Sequence, residues 1–109
     1  MTAGLAKLLG LGVAAPHGGL DQHTASALAE ARCCSTERQR TWLRRIYRHS
    51  GITRRGSVLL HPDEGAAGFE AFYPLPGATG ERGPTTAVRL RRYVEEAGPL
   101  ADAACRSAL

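Results

Sequence analysis

Several things are missing from this chain of 109 residues, and each absence narrows what it can be. No stretch approaches the length of a membrane span, so no membrane-crossing helix is expected. No C-x-x-C pair occurs: the cysteines are Cys33, Cys34 and Cys105, an odd number, and the adjacent two are poorly placed to bridge each other. That usage fits a reduced, cytoplasmic setting. His17 and His23 stand at no recognised metal spacing from Cys33 or Cys34, and no histidine lies at a motif spacing that would activate a cysteine. Metal binding and a cysteine nucleophile within the chain are therefore not expected. Lysine is nearly missing, Lys7 being the only one among fourteen basic residues. With abundant Ala and Gly this reads as a GC-rich coding bias, so arginine in place of lysine carries no message of its own.

The most telling absence is local. None of the ten acidic residues falls between Arg44 and Leu59. From Arg32 to Arg55 there are eight arginines against one glutamate, Glu37, a local charge of +7 in a chain of net charge +4. The rest of the protein is thus mildly acidic. A positive block on such a body points to a partner carrying phosphates, whether nucleic acid, membrane surface or a nucleotide-bearing small molecule. The overall balance of 43% hydrophobic and 22% charged residues is that of one globular domain with a modest core.

Along the chain, Lys7 followed by Leu8–Ala15 mimics a short signal peptide, but Gly10 and Gly12 interrupt it. Leu8 to Ala14 is read instead as a buried strand, closed by Ala15-Pro16 and the His17-Gly18-Gly19 turn. Asp21 offers an N-cap for a helix from Gln22 to about Arg32. Thr36 and Gln39 form a capping box, with Glu37 at the positive helix end. The helix that follows is two-faced: Trp42, Leu43, Ile46 and Tyr47 on one side, Arg44, Arg45, Arg48 and His49 on the others. Ser50-Gly51 ends it. Thr53 to Leu60 reads as extended, β-rich only at Val58-Leu59-Leu60, and the Pro- and Gly-rich stretch from His61 to Pro84 as loop. A last helix starts near Pro84-Thr85-Thr86 and keeps phase through Gly98-Pro99, so one kinked helix is expected. The pattern stops at Leu109 without a cap, which reads as a chain cut short. One clear strand and one weak one cannot make a stable sheet, so completion by absent residues or another chain is expected.

Laid out this way, the chain resembles the N-terminal region of type III polyketide synthases, the chalcone and stilbene synthase family. The resemblance rests on Leu8–Pro16, Asp21-Gln22, Tyr47–Ile52 with Arg54-Arg55, and Gly83–Ala101, the last resembling the long helix of bacterial members. It implies an α/β, partial thiolase-like fold with an incomplete sheet over residues 1–109. It also implies a homodimeric acyltransferase that condenses a CoA-linked starter with malonyl-CoA, with CoA thioesters as substrates and no permanently bound cofactor. The family's catalytic Cys, His and Asn lie beyond Leu109, so this chain alone is not expected to catalyse: a thiolate must accept the acyl group, and His with Asn must polarise the thioester. Three basic family positions at the CoA tunnel mouth fall on Trp42, Arg45 and His49, whose i, i+3, i+7 spacing puts them on one helix face. Arg45 keeps the charge, His49 is charged only where its pKa permits, and Trp42 departs from the pattern but offers an indole to stack on adenine. The same residues carry plainer readings: Trp42 with Ile46 as core, the arginine face as solvated surface, Arg54 and Arg55 as surface ion pairs. Two other functions compete. One is a small basic nucleic-acid-binding protein using Arg44, Arg45 and Arg48, against which stand the lack of a tight helix-turn-helix junction and of an aromatic-and-basic strand. The other is a non-catalytic partner that caps a full-length synthase through its open sheet edge.

Overall fold

Helix boundaries follow the side chains that can satisfy a helix's orphan backbone groups. In the computed structural model, which describes residues 4–77 and 83–109, Asp21 caps helix α1 (Gln22–Cys33) by accepting from Thr24 N at 2.9 Å and from Thr24 Oγ1 at 2.6 Å. Helix α2 (Glu37–His49) opens on the anticipated capping box, with Gln39 N donating to Thr36 Oγ1 at 3.2 Å and Thr36 N to Gln39 Oε1 at 3.1 Å. Gly51, at φ +72°, follows Ser50 and turns the chain back through a left-handed conformation that a side chain would disfavour.

That reversal brings β2 (Arg54–Gly56) antiparallel to β1 (Gly19–Asp21), with Gly19 opposite Gly56, Leu20 opposite Arg55 and Asp21 opposite Arg54. Gln22 N to Thr53 O at 2.9 Å and Ser57 N to Gly18 O at 3.1 Å extend the ladder beyond each end. A six-residue helix, α3 (Ala67–Phe72), follows, and α4 (Thr86–Ala108) completes the order. Thr85 caps α4 by accepting from Val88 N at 3.3 Å. The helix runs unbroken through Gly98 and Pro99, as its phase predicts.

The architecture is mixed, helices with a small two-stranded sheet, which agrees with an α/β class. Four expectations need correction. Leu8–Ala14 is neither a bonded strand nor buried: it is irregular by hydrogen bonding, with Leu8, Leu9, Leu11 and Val13 all more than four-fifths exposed. A strand exists only by pairing, and no described segment lies beside it to pair. The second strand is Arg54–Gly56 rather than Val58–Leu60, because Ser57 Oγ accepts from Leu59 N at 3.2 Å and Leu60 N reaches back to Ser57 O, closing a turn there. The region from His61 to Pro84 is not all loop, since it holds α3; residues 78–82 of it lie outside the described residues. On α2 only Leu43 and Tyr47 of the expected apolar face are half-buried, while Trp42 and Ile46 stay 62% and 54% exposed.

The core is correspondingly thin. Leu60, 8% exposed, is the one buried apolar side chain among the described residues, covered by the backbone of Gly18, where a Cβ would collide with the Leu60 carbonyl. The accessible surface is 8831 Å², whereas a compact monomer of this mass exposes about 5,800 Å². The chain spans 66 × 33 × 31 Å with a radius of gyration of 18.6 Å, against about 13 Å for a compact domain of this length. Exposed apolar side chains form two belts: Leu5, Leu8, Leu9, Leu11 and Val13 near the N-terminus, and Leu90, Tyr93 and Val94 on α4.

Candidate functional site

The positive block lies on α2 and the strand after it, and the structure divides its arginines into two groups. Arg44 is held by Glu30 of α1: its Nε donates to Glu30 Oε2 at 3.0 Å and its Nη2 to Glu30 Oε1. Arg44 also faces Glu37 at 3.7 Å, and Arg40 stands 3.9 Å from Glu30 and 3.6 Å from Glu37. Arg32 reaches out of α1 to donate to Tyr73 O at 2.7 Å and lies over the Phe69 ring at 5.4 Å. Arg55 donates to Gln22 Oε1 at 2.9 Å and stacks on Tyr47 at 4.6 Å. These four arginines hold the protein to itself. Arg38, Arg45, Arg48 and Arg54 have no acidic partner among the described residues.

Trp42, Arg45 and His49 project together along the exposed side of α2, as their spacing requires, and all three are exposed. The structure thus brings the three sequence-predicted positions onto one face, with Arg38 one turn before Trp42. The core reading of Trp42 does not hold here. None of the three enters the groove of about 350 Å³ between α1 and α2, which Gln22, His23, Glu30, Arg44, Tyr47 and Arg48 line. Of the alternative trio, Arg44 is engaged with Glu30 while Arg45 and Arg48 stay exposed. His49 and Arg48 sit in the last turn of α2, where a cation is favoured by the helix dipole.

Sequence reasoning missed Gln22 as a structural hub. Its Nε2 donates to Tyr47 O at 2.9 Å and to Ser50 Oγ at 3.0 Å, while its Oε1 accepts from Arg55. One amide thereby joins the start of α1, the end of α2 and β2, fixing the helix that carries Trp42, Arg45 and His49. The signal available was only a glutamine after a helix cap. Cys33 and Cys105 are exposed, Cys34 is half-buried, and all three are free thiols. No group of three potential metal ligands gathers among the described residues, and no described helix is long and apolar enough to cross a membrane.

Two carboxylates anchor α1, and both titrate low. Hydrogen bonds from Arg44 hold the Glu30 carboxyl below its ordinary range, outweighing the opposing effect of desolvation, and the charges of Arg44 and Arg40 add to them. The Thr24 hydroxyl and amide do the same for Asp21. A carboxylate depressed in the folded state stabilises it above the ordinary carboxylate range and loses that contribution as pH falls through the depressed value. The α1–α2 packing is therefore expected to hold unchanged from neutral pH to above that range and to loosen in acid below it. Glu30→Gln should remove part of the acid sensitivity, read from amide shifts of α1 and α2 across a pH titration.

No family model, curated protein or solved structure matches the chain.

Proposed function

We propose that the chain is the N-terminal part of a type III polyketide synthase, an acyltransferase of thiolase-like fold that joins a CoA-linked starter to malonyl-CoA units. In this reading its own contribution is to hold the CoA moiety, and the Cys, His and Asn that do the chemistry reside in polypeptide outside this sequence. The complete enzyme is a cytoplasmic homodimer with acyl-CoA and malonyl-CoA as its ligands. The observation that carries the reading is the exposed Trp42–Arg45–His49 face on a capped helix whose neighbouring Arg40 and Arg44 are tied to Glu30 and Glu37. With those charges neutralised internally, Arg45 is left as a planar fork for phosphate, His49 as a second donor one turn on, and the Trp42 indole as a flat surface for a purine. The thin core supports the same reading, since a piece of a larger α/β domain leaves its apolar faces uncovered.

Calorimetric titration with CoA tests it. Arg45→Ala is expected to weaken CoA binding about tenfold, the worth of a charge-assisted hydrogen bond. Arg106→Ala, on a residue already paired with Asp102 at 2.8 Å, should leave it unchanged. Equal losses in both variants would reduce the effect to general charge attraction and sink the assignment. Tight, steeply salt-dependent binding of DNA in preference to CoA would move the conclusion to the nucleic-acid reading.

A further inference from the structure

The groove between α1 and α2 changes character from one end to the other. The two helices cross it antiparallel. At one end Gln22, the first residue of α1, donates to Tyr47 O and Ser50 Oγ near the end of α2. At the other end Glu30 holds Arg44. Helical spacing then sets His23, Ala27 and Glu30 in one row along α1, and Arg44 and Arg48 in a row along α2. All five line the groove, so His23 and Arg48 share the Gln22 end. Ala27 and the half-buried Tyr47 form the middle, with Ser26 beside them. Arg55 stacks on the Tyr47 ring at 4.6 Å but does not line the groove, so Tyr47 still presents carbon surface to it.

Charge and bonding capacity are just as uneven. Glu30 and Arg44 cancel each other at the far end, and both amide atoms of Gln22 are engaged, its oxygen by Arg55. Among the described residues Arg48 has no acidic partner, and no side-chain hydrogen bond engages Arg48, His23 or Ser26. The groove therefore carries one uncompensated cation, flanked by an imidazole and a hydroxyl with donors to spare.

We propose that this groove binds a small monocarboxylate with an apolar body. Arg48 takes the carboxylate on its guanidinium, His23 and Ser26 donate to it from α1, and the body lies over Ala27 against Tyr47. Three features select that class. One uncompensated cation balances a carboxylate but only half the charge of a phosphate monoester, whose second charge would meet Glu30. The methyl group of Ala27 leaves open the space that a longer side chain would fill. The volume of about 350 Å³ lies at the lower end of small-molecule sites, too little for a nucleotide or a peptide. Trp42, Arg45 and His49 do not line the groove, so the proposal stands apart from the CoA reading.

The test is titration of the full chain with cyclohexanecarboxylate, followed by amide and side-chain NMR shifts. Saturable shifts are expected at His23, Ser26, Ala27 and Arg48, with a Kd on the order of 1 mM for a ligand of so few atoms. Cyclohexanecarboxamide, of the same shape without the charge, should bind about tenfold more weakly or worse, as should cyclohexyl phosphate. Arg48→Ala is expected to weaken carboxylate binding about tenfold. Arg38→Ala removes an equal charge from the same helix outside the groove and should leave the affinity unchanged. Ala27→Leu should abolish the shifts by filling the groove yet keep the helical circular dichroism, because Ala27 is exposed and leucine is a good helix former. Carboxylate and carboxamide binding alike would reduce the effect to apolar partition and overturn the proposal. Equal losses in Arg38→Ala and Arg48→Ala, tighter binding of the phosphate, or no saturable shift at the four groove residues would overturn it too.

Discussion

Free in solution, the chain is expected to melt without a cooperative transition and to bind a hydrophobic dye such as anilinonaphthalene sulfonate strongly at neutral pH. Cooperative unfolding requires that many contacts be lost together, and those contacts are chiefly apolar side chains packed on one another. Here a single apolar side chain is buried among the described residues, while fourteen large ones are more than two-fifths exposed. Ordering a residue's backbone costs about 1–2 kcal/mol, and hydrophobic burial is the main term that offsets it. The helices retain local support from their caps, so far-ultraviolet circular dichroism should show helix that fades gradually on heating. Calorimetry gives the contrary outcome plainly: a sharp endotherm from a monomeric sample would mean that the apolar belts find each other within one chain.

The elements visible in the sequence are those whose cause is local. Asp21, Thr36 and Thr85 each announce a helix three residues before the amide they accept from, and all three helices begin where those residues put them. The phase of Leu90, Val94, Ala97 and Ala101 carried the last helix through Pro99 in the same way. What was misread depends on residues distant in sequence. Leu8–Ala14 has the composition of a buried strand, but burial and pairing are supplied by neighbours, and no described segment supplies them. The half-buried positions of α2 are Arg40, Leu43 and Tyr47 rather than Trp42 and Ile46, because Glu30 on α1 draws arginines toward the helix pair. Nothing within α2 records where Glu30 will lie. Helix α3 escaped notice because six residues, with Gly68 among them, give too short a period to register. The site shows the same division: the spacing of Trp42, Arg45 and His49 fixed their common face, but which arginines are free could be learned only from the fold.

Replacing Gln22 with alanine should cut the α1–α2 pair loose from the strand pair while leaving both helices formed. Gln22 makes two half-buried hydrogen bonds, to Tyr47 O at 2.9 Å and from Arg55 Nε at 2.9 Å, besides the exposed one to Ser50 Oγ. At roughly 1 kcal/mol for each half-buried bond, the local loss should be about 2 kcal/mol, which is a large fraction of what holds so open a structure. The effect should appear first at Gln22 N, whose bond to Thr53 O is the nearest rung of the ladder, and at the three paired positions of β1 and β2. Amide exchange there is expected to rise about thirtyfold, while amides in the middle of α2 change little. Gln22→Glu separates the two ends of the amide. Its carboxylate still accepts from the Arg55 guanidinium, and more strongly, but it has no hydrogen to give the Tyr47 carbonyl and is repelled by it. That variant should therefore keep Arg55 over the Tyr47 ring, visible in the ring-current shifts, yet release the last turn of α2. Because His49 and Arg45 ride on that turn and the one before it, the CoA-binding role proposed above requires that Gln22→Glu also weaken CoA binding without touching any residue of the exposed face. An unchanged CoA affinity in a variant whose Tyr47 contact is demonstrably lost would mean that the end of α2 needs no anchoring to hold its ligand.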